Sequence, residues 1–386
     1  MKIQRAPEST DLEAYRPESR PRRRLSALFV DSSDSSGSEE WRRLELTCLY
    51  LKERGHRVHR LTLKGASAAP EGSGPLRRWL RLDQAAEVWR LRRVIARGGY
   101  DVVCGQGDQA LLALRWAMAG MKRAPALVAE RPARQALPAS LAAWAAMRSS
   151  RLSHAIVLTR RDRAALIAKG LGADRVSVVT AGVDADQYRP VNTYEEARTA
   201  IGVAPEAPLV CALGDLRAEN GHNVFLIAFA LTRQRLPTAK AVVVGHGDKT
   251  AFAHALEQLG ILHHVQFVEP GAATRHFVSA SDVAVCVADD GTGAPVARAM
   301  ACARPMVTLA GADPMELVQH GCTGFVVPDK DARGLASAIV WMIQNPLASE
   351  RIALQGRERV ERTFSEQARA FQVERVLLKA VENPNN

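Results

Sequence analysis

The residues able to do chemistry in this sequence gather in short turns. The most suggestive is Asp290-Gly291-Thr292-Gly293-Ala294-Pro295. Its two glycines let a ligand approach the backbone, Pro295 suits the first turn of a helix, and a helix start favours a phosphate or another anion. Asp290 is placed to accept hydrogen bonds from hydroxyls. A second turn, Asp31-Ser32-Ser33-Asp34-Ser35-Ser36-Gly37-Ser38, either brings backbone N–H groups to a ligand or is a plain polar turn. Thr180-Ala181-Gly182-Val183-Asp184 closes another apolar run. Asp184-Ala185-Asp186 has the D-x-D form of a metal-bound nucleotide site, but no further ligand cluster supports a metal. Glu130 offers a base or a group that orients a hydroxyl; the bland alternative is an ion pair with Arg131 or Arg134. His222 and His246 also lie in loops, where a lone histidine is more often a surface residue than a catalyst.

These turns punctuate a regular alternation of strand-length apolar runs with helix-length amphipathic stretches. Strands are expected at 28–30, 58–63, 102–104, 126–129, 155–158 and 176–179. A second series is expected at 209–213, 241–244, 265–268, 283–287, 306–309 and 325–327. Strand–helix alternation points to parallel sheets covered on both faces. The rhythm breaks at 191–208, a charged, Pro-containing stretch read as an inter-domain linker with one short helix. The expected organisation is a basic disordered arm (1–24), a first doubly wound domain (25–190), the linker, a second such domain (209–363) and a C-terminal helix and tail (364–386). Ligands of such α/β sheets bind beyond the C-terminal strand ends.

Composition narrows the classes. The chain has 386 residues, 47% hydrophobic and 24% charged, enough for two cores. No run of about 18 apolar residues suggests a spanning helix, and the Arg-rich start lacks the apolar heart of a signal peptide. The six cysteines are widely spaced and read as buried reduced thiols. The tryptophans, mostly on helical stretches, read as packing residues. Basic residues without interleaved aromatics exclude a nucleic-acid reading. Residues 1–200 carry 35 basic and 22 acidic side chains, the rest 17 and 19, so the charge surplus belongs to the first half. Arginine outnumbers lysine 43 to 9. A basic first half fits an anionic partner, such as a membrane surface.

The second half resembles the GT-B glycosyltransferases of family 4. The resemblance rests on Gly214-x-Leu216, Asn220-Gly221-His222, Val243-Val244-Gly245-x-Gly247, Val265-x-Phe267, Ser281-Asp282-Val283 and Ala299-Met300-Ala301-x-x-x-Pro305-x-Val307. Glu316-Leu317-Val318, Gly321-x-Thr323-Gly324-Phe325-Val326-Val327-Pro328 and Phe364-Ser365 extend it. In the first half, Gly55-His56-x-Val58 and Gly182-Val183-Asp184 fit more loosely.

The resemblance implies an α/β fold of GT-B type: two doubly wound, Rossmann-like domains facing a cleft, with C-terminal helices packing back on the first. It implies retaining, hexosyl-type transfer from a nucleotide sugar, without a metal or other cofactor, by a cytoplasmic or peripherally membrane-bound enzyme. The donor contacts it implies are Gly214, Arg217, Asn220, Gly245, Gly247, Val268, Gly291, Thr292, Gly293 and Arg298. Asp290 and Glu130 are the implied catalytic carboxylates, and Gly37, Ser38 and Arg131 the acceptor side. Several positions depart from the family pattern. Asp290 and Arg298 stand where two glutamates are expected, Asp215 replaces an arginine and Asn220 a lysine, and no histidine follows the fourth strand. A guanidinium cannot accept ribose hydrogen bonds; Arg298 and Arg217 are candidate substitute cations for the diphosphate. Two readings follow: an active glycosyltransferase building a glycan, or a catalytically impaired relative that binds a sugar or a partner.

Overall fold

The computed structural model describes residues 23–31, 39–63, 82–131, 138, 140–190, 195, 198–199, 202–204, 206–217, 221–271, 274–288, 293–312 and 317–383. The expected basic arm lies outside these residues except for Arg23 and Arg24. So do Gly37, Ser38, Asn220, Asp290, Gly291 and Thr292.

Two units partition the chain: 1–180 with 366–386, and 181–365. The stretch expected as a linker falls inside the second. There Arg198, 1% exposed, donates to the carbonyls of Ala204, Ala207 and Ala280 and to Asp282. Arg198, in the stretch expected as an inter-domain linker with one short helix, is thereby tied to the second unit.

The first unit is a six-stranded sheet in the order β2-β1-β3-β4-β5-β6. Its strands are β1 (Ser26–Asp31), β2 (Arg57–Thr62), β3 (Val102–Gln106), β4 (Ala126–Glu130), β5 (Leu152–Val157) and β6 (Val176–Val178), and every pairing is parallel. Period-two alternation divides the side chains between two cores. Leu28, Val30 and Val103 face one layer, formed by α2 (Leu82–Gly98), α3 (Gly107–Ala117), α4 (Leu141–Arg148) and α5 (Arg160–Ala168). Ala27, Phe29 and Val102 face the other, which holds α1 (Glu39–Glu53) and buried Val373 and Leu377 from the C-terminal end of the chain.

The second unit repeats the plan in the order β12-β11-β10-β7-β8-β9. Its strands are β7 (Leu209–Leu213), β8 (Lys240–Val244), β9 (Val265–Val268), β10 (Val283–Cys286), β11 (Met306–Leu309) and β12 (Phe325–Val327). Its helices are α6 (His222–Arg235), α7 (Ala253–Gln258), α8 (Thr274–Ala280), α9 (Ala294–Ala301), α10 (Ala332–Gln344) and α11 (Pro346–Arg359). These strands are parallel too. The order reverses between β7 and β10, and that switch point is where an open α/β sheet leaves a crevice.

The last helix, α12 (Glu366–Glu382), belongs to the first unit, as expected of a C-terminal helix packing back on it; α10 and α11 belong to the second. No helix among the described residues is long and apolar enough to cross a membrane.

Candidate functional site

The β7 and β10 ends meet at the switch point of the second unit. Gly214 follows β7 with φ 144°, a conformation L side chains avoid. A Cβ there would lie 2.5 Å from the Cβ of Ala288, just past β10. The neighbouring turn after β8 is packed as closely: a Cβ on Gly245 would fall onto the carbonyl oxygen of Gly214. The two turns are then stitched together. Gly214 N–H donates to Val244 O at 3.1 Å, Gly245 N–H to Val268 O at 3.2 Å, and Leu216 N–H to His246 O at 2.7 Å. Leu216 and Gly247 form a parallel bridge. Backbone therefore forms this edge of the crevice with no side chains at Gly214, Gly245 and Gly247. Gly293 adds a helix start: it caps α9 with φ 64°, and Pro295 stands in the first turn. The positive end of that helix suits an anion.

The charges around this edge are mixed. Asp215 and Arg217 approach to 3.9 Å, both partly exposed. Arg298, on the last turn of α9, lies with its guanidinium 5.4 Å from the centre of the Tyr188 ring, an aromatic platform that the sequence did not point to. His222 is not a surface residue as expected: it is 1% exposed, packed 5.6 Å from the Phe252 ring. Its Nε2–H donates to Gly214 O at 3.1 Å, and its buried Nδ1 has no partner among the described residues. Burial lowers its pKa to about 4, so the ring is neutral at pH 7. His246 is exposed and meets Glu269 at 2.9 Å.

In the first unit, Glu130 ends β4, almost buried. Its carboxylate is held by Arg369 of α12 on one oxygen and by Gln106 Nε2 at 3.1 Å on the other. Arg369 also donates to Thr47 at 2.6 Å. Arg131, 1% exposed, pairs with Asp108 of α3. Glu130 is thus ion-paired with Arg369, a partner far along the chain and not one of the two expected; Arg134, one of those, lies outside the described residues. Asp184 accepts from the backbone N–H groups of Asp186 and Gln187 at 3.1 and 2.8 Å, so the D-x-D stretch is a capped turn.

Residues 207–345 match the family model described as glycosyl transferases group 1, and residues 42–187 match that of glycosyltransferase family 4. The chain belongs to glycosyltransferase family 4. Among curated relatives, the D-inositol 3-phosphate glycosyltransferase of Mycobacterium marinum is 28% identical over 180 residues, 44% of this chain and 38% of the relative. That of Corynebacterium glutamicum is 26% identical over 226 residues, 55% and 53%. The matched stretch spans about half the length of these relatives or less. Solved structures share the GT-B fold. Anabaena HepE, in complex with UDP and glucose, has a TM-score of 0.68 at 20% identity, covering 92% of this chain and 99% of that one. A glycosyltransferase from Rickettsia africae has a TM-score of 0.74 at 15% identity, covering 93% and 99%.

For a family 4 chain, the features that sequence reasoning missed are side chains behind the turns. Ala288 and His222 shape the glycine edge, and Tyr188 carries Arg298. Of these, only His222 had a signal, its place directly after Asn220-Gly221.

Proposed function

We propose that this chain transfers a glycosyl group, with retention, from a nucleotide-activated donor to a glycan or lipid-linked acceptor. The observation that carries this reading is the edge made by Gly214, Gly245 and Gly247 at the β7/β10 switch point, with α9 starting after β10. Bare backbone and a helix N-terminus suit a diphosphate. Family membership and the UDP-containing Anabaena structure support the same class of donor. In the reaction, the bond from the sugar C1 to the diphosphate oxygen breaks as the acceptor oxygen bonds to C1, and the acceptor proton leaves to a base. Charge grows on the departing diphosphate, and the α9 N-terminus with Arg298 and Arg217 would stabilise it. Asp290 is the proposed carboxylate on the sugar. Gly291, Thr292, Gly293, Asn220 and Val268 complete the proposed donor contacts, and Gly37 and Ser38 the acceptor side. The pairings of Glu130 and Arg131 favour a structural role for both. A nucleotide-sugar substrate suits the cytoplasm or the cytoplasmic face of a membrane.

Asp215 favours a second reading, binding without turnover, because an acidic residue at the diphosphate edge repels the leaving group. Calorimetric titration with UDP, ADP, GDP and their sugar conjugates, coupled to an assay for released nucleotide, separates the two. Saturable binding with release of nucleotide supports transfer. Binding with no release, even with acceptor lipids present, supports the second reading. Absence of binding at about millimolar concentration, a Kd limit near −4 kcal/mol, overturns both.

A further inference from the structure

Two tryptophans expected as packing residues stand in solvent: Trp89 on α2 is 64% exposed and Trp116 on α3 is 59% exposed. Both helices connect strands by crossovers running the same way across the sheet, which sets them on one face. There Leu91 and Ile95 of α2 share a core with Leu111 and Leu114 of α3. Arg92 ties the pair, its Nη1 donating to Ala117 O and Ala119 O at 2.8 and 2.7 Å. With the inner faces fixed, Trp89, Arg93 and Arg97 recur every fourth residue along the outward side of α2, all exposed. Lys122 and Arg123, also exposed, follow α3. Between residues 85 and 170, every exposed charged side chain among the described residues is basic. Of the acids there, Glu87 pairs with Arg90 at 3.3 Å, Asp101 with Arg23 at 3.4 Å, Asp108 with Arg131 and Glu130 with Arg369, while Asp162 is half-buried in the first turn of α5.

We propose that the outer face of this helix layer docks on an anionic lipid bilayer, with Trp89 and Trp116 seated among the headgroups. An indole presents an apolar body and one N–H donor, the combination that favours a membrane–water interface. Basic side chains beside it are drawn to anionic headgroups within a Debye length. A second copy of the chain would set this face against another of the same charge. The proposal stands apart from the glycosyl-transfer reading, since docking needs no donor.

The test is flotation of the full chain with vesicles of phosphatidylcholine alone, and of phosphatidylcholine with about one-third phosphatidylglycerol. The expected result is binding to the anionic vesicles only, weakened about tenfold or more when salt rises from about 0.1 M to about 0.5 M. Trp89→Ser with Trp116→Ser, and separately Arg93→Gln with Arg97→Gln, should each weaken binding about tenfold or more, with thermal melts matching the parent. On the unmutated chain, brominated lipids should quench tryptophan emission, a readout that no variant's folding affects. Equal binding to neutral vesicles, absence of quenching, tighter binding to duplex DNA than to the vesicles, or a dimer that the tryptophan variants dissolve would each overturn the proposal.

Discussion

His222 holds the Gly214 carbonyl through its Nε2–H and stays neutral because burial lowers its pKa from 6.5 to about 4. Its contribution to stability is complete above pH 6.5. As pH falls from 6.5 towards 4, the unfolded chain takes up a proton that the folded chain refuses, and up to about 3 kcal/mol is lost. His222→Gln keeps an N–H and removes the titration. Urea unfolding of that variant should show a flatter acid limb over this window; His154, also lowered to about 4 by burial, keeps its own share. An acid limb as steep as the parent's would refute the assignment. Arg298 invites a second substitution. If its guanidinium faces the donor diphosphate from the Tyr188 ring, Arg298→Ala should cost about 1.5–3 kcal/mol of donor affinity, roughly 10- to 100-fold by titration, and Arg298→Glu more. Unchanged or tighter binding by Arg298→Glu would sink the role. The glycine edge was legible in the sequence because Gly214, Gly245 and Gly247 sit directly after apolar runs. The burial of His222 was not, since nothing in Asn220-Gly221-His222 says that the helix begins inside the fold. The partner of Glu130 was hidden for a different reason: Arg369 lies 239 residues away.

Elements carry a second kind of information. α12 is fastened to the first unit by buried charge: Arg369 to Glu130 and Thr47, and Glu374 to Arg54 at 2.9 Å and to His56 at 2.6 Å. His56 Nδ1 accepts the Leu25 N–H at 3.0 Å, which leaves Nε2–H to donate to Glu374. Removing one member of such a pair strands the other in low dielectric. Arg369→Met should therefore cost about 3–5 kcal/mol in chemical unfolding. Replacing both, Glu130→Leu with Arg369→Met, should cost markedly less; a double variant as damaged as the single would argue against the pair. The twelve strands among the described residues overlap the expected apolar runs: the inner ones are buried and nearly continuous in apolar residues, whereas the edge strands β2 and β9 are less so. α4 (Leu141–Arg148) was not anticipated: its alanine-rich sequence carries little polar contrast from which to read a period. The exposure of Trp89 and Trp116 escaped for a related reason, since residue type suggests burial and only the packed neighbours decide which face is covered.

At the scale of the whole molecule, the chain enters the second unit at Ala181 and leaves it at Ser365, so that unit is one continuous stretch and the first is made of two. Expressed alone, residues 181–365 should fold cooperatively. Residues 1–180 should not reach the stability of the same piece supplied with 366–386, because Glu130 and His56 would lack their partners. Circular dichroism melts of the three preparations check this; a cooperative, unaltered melt of 1–180 by itself would contradict it. The same discontinuity has a consequence in time. His56 and Glu374 are 318 residues apart, and synthesis at about 5–20 residues per second separates their emergence by roughly fifteen seconds to a minute. The second unit, begun later, is complete sooner. Until α12 leaves the ribosome, the nascent first unit holds a carboxylate without its cation and a sheet face covered by α1 alone among the described helices, and it is this half that a holding chaperone would engage.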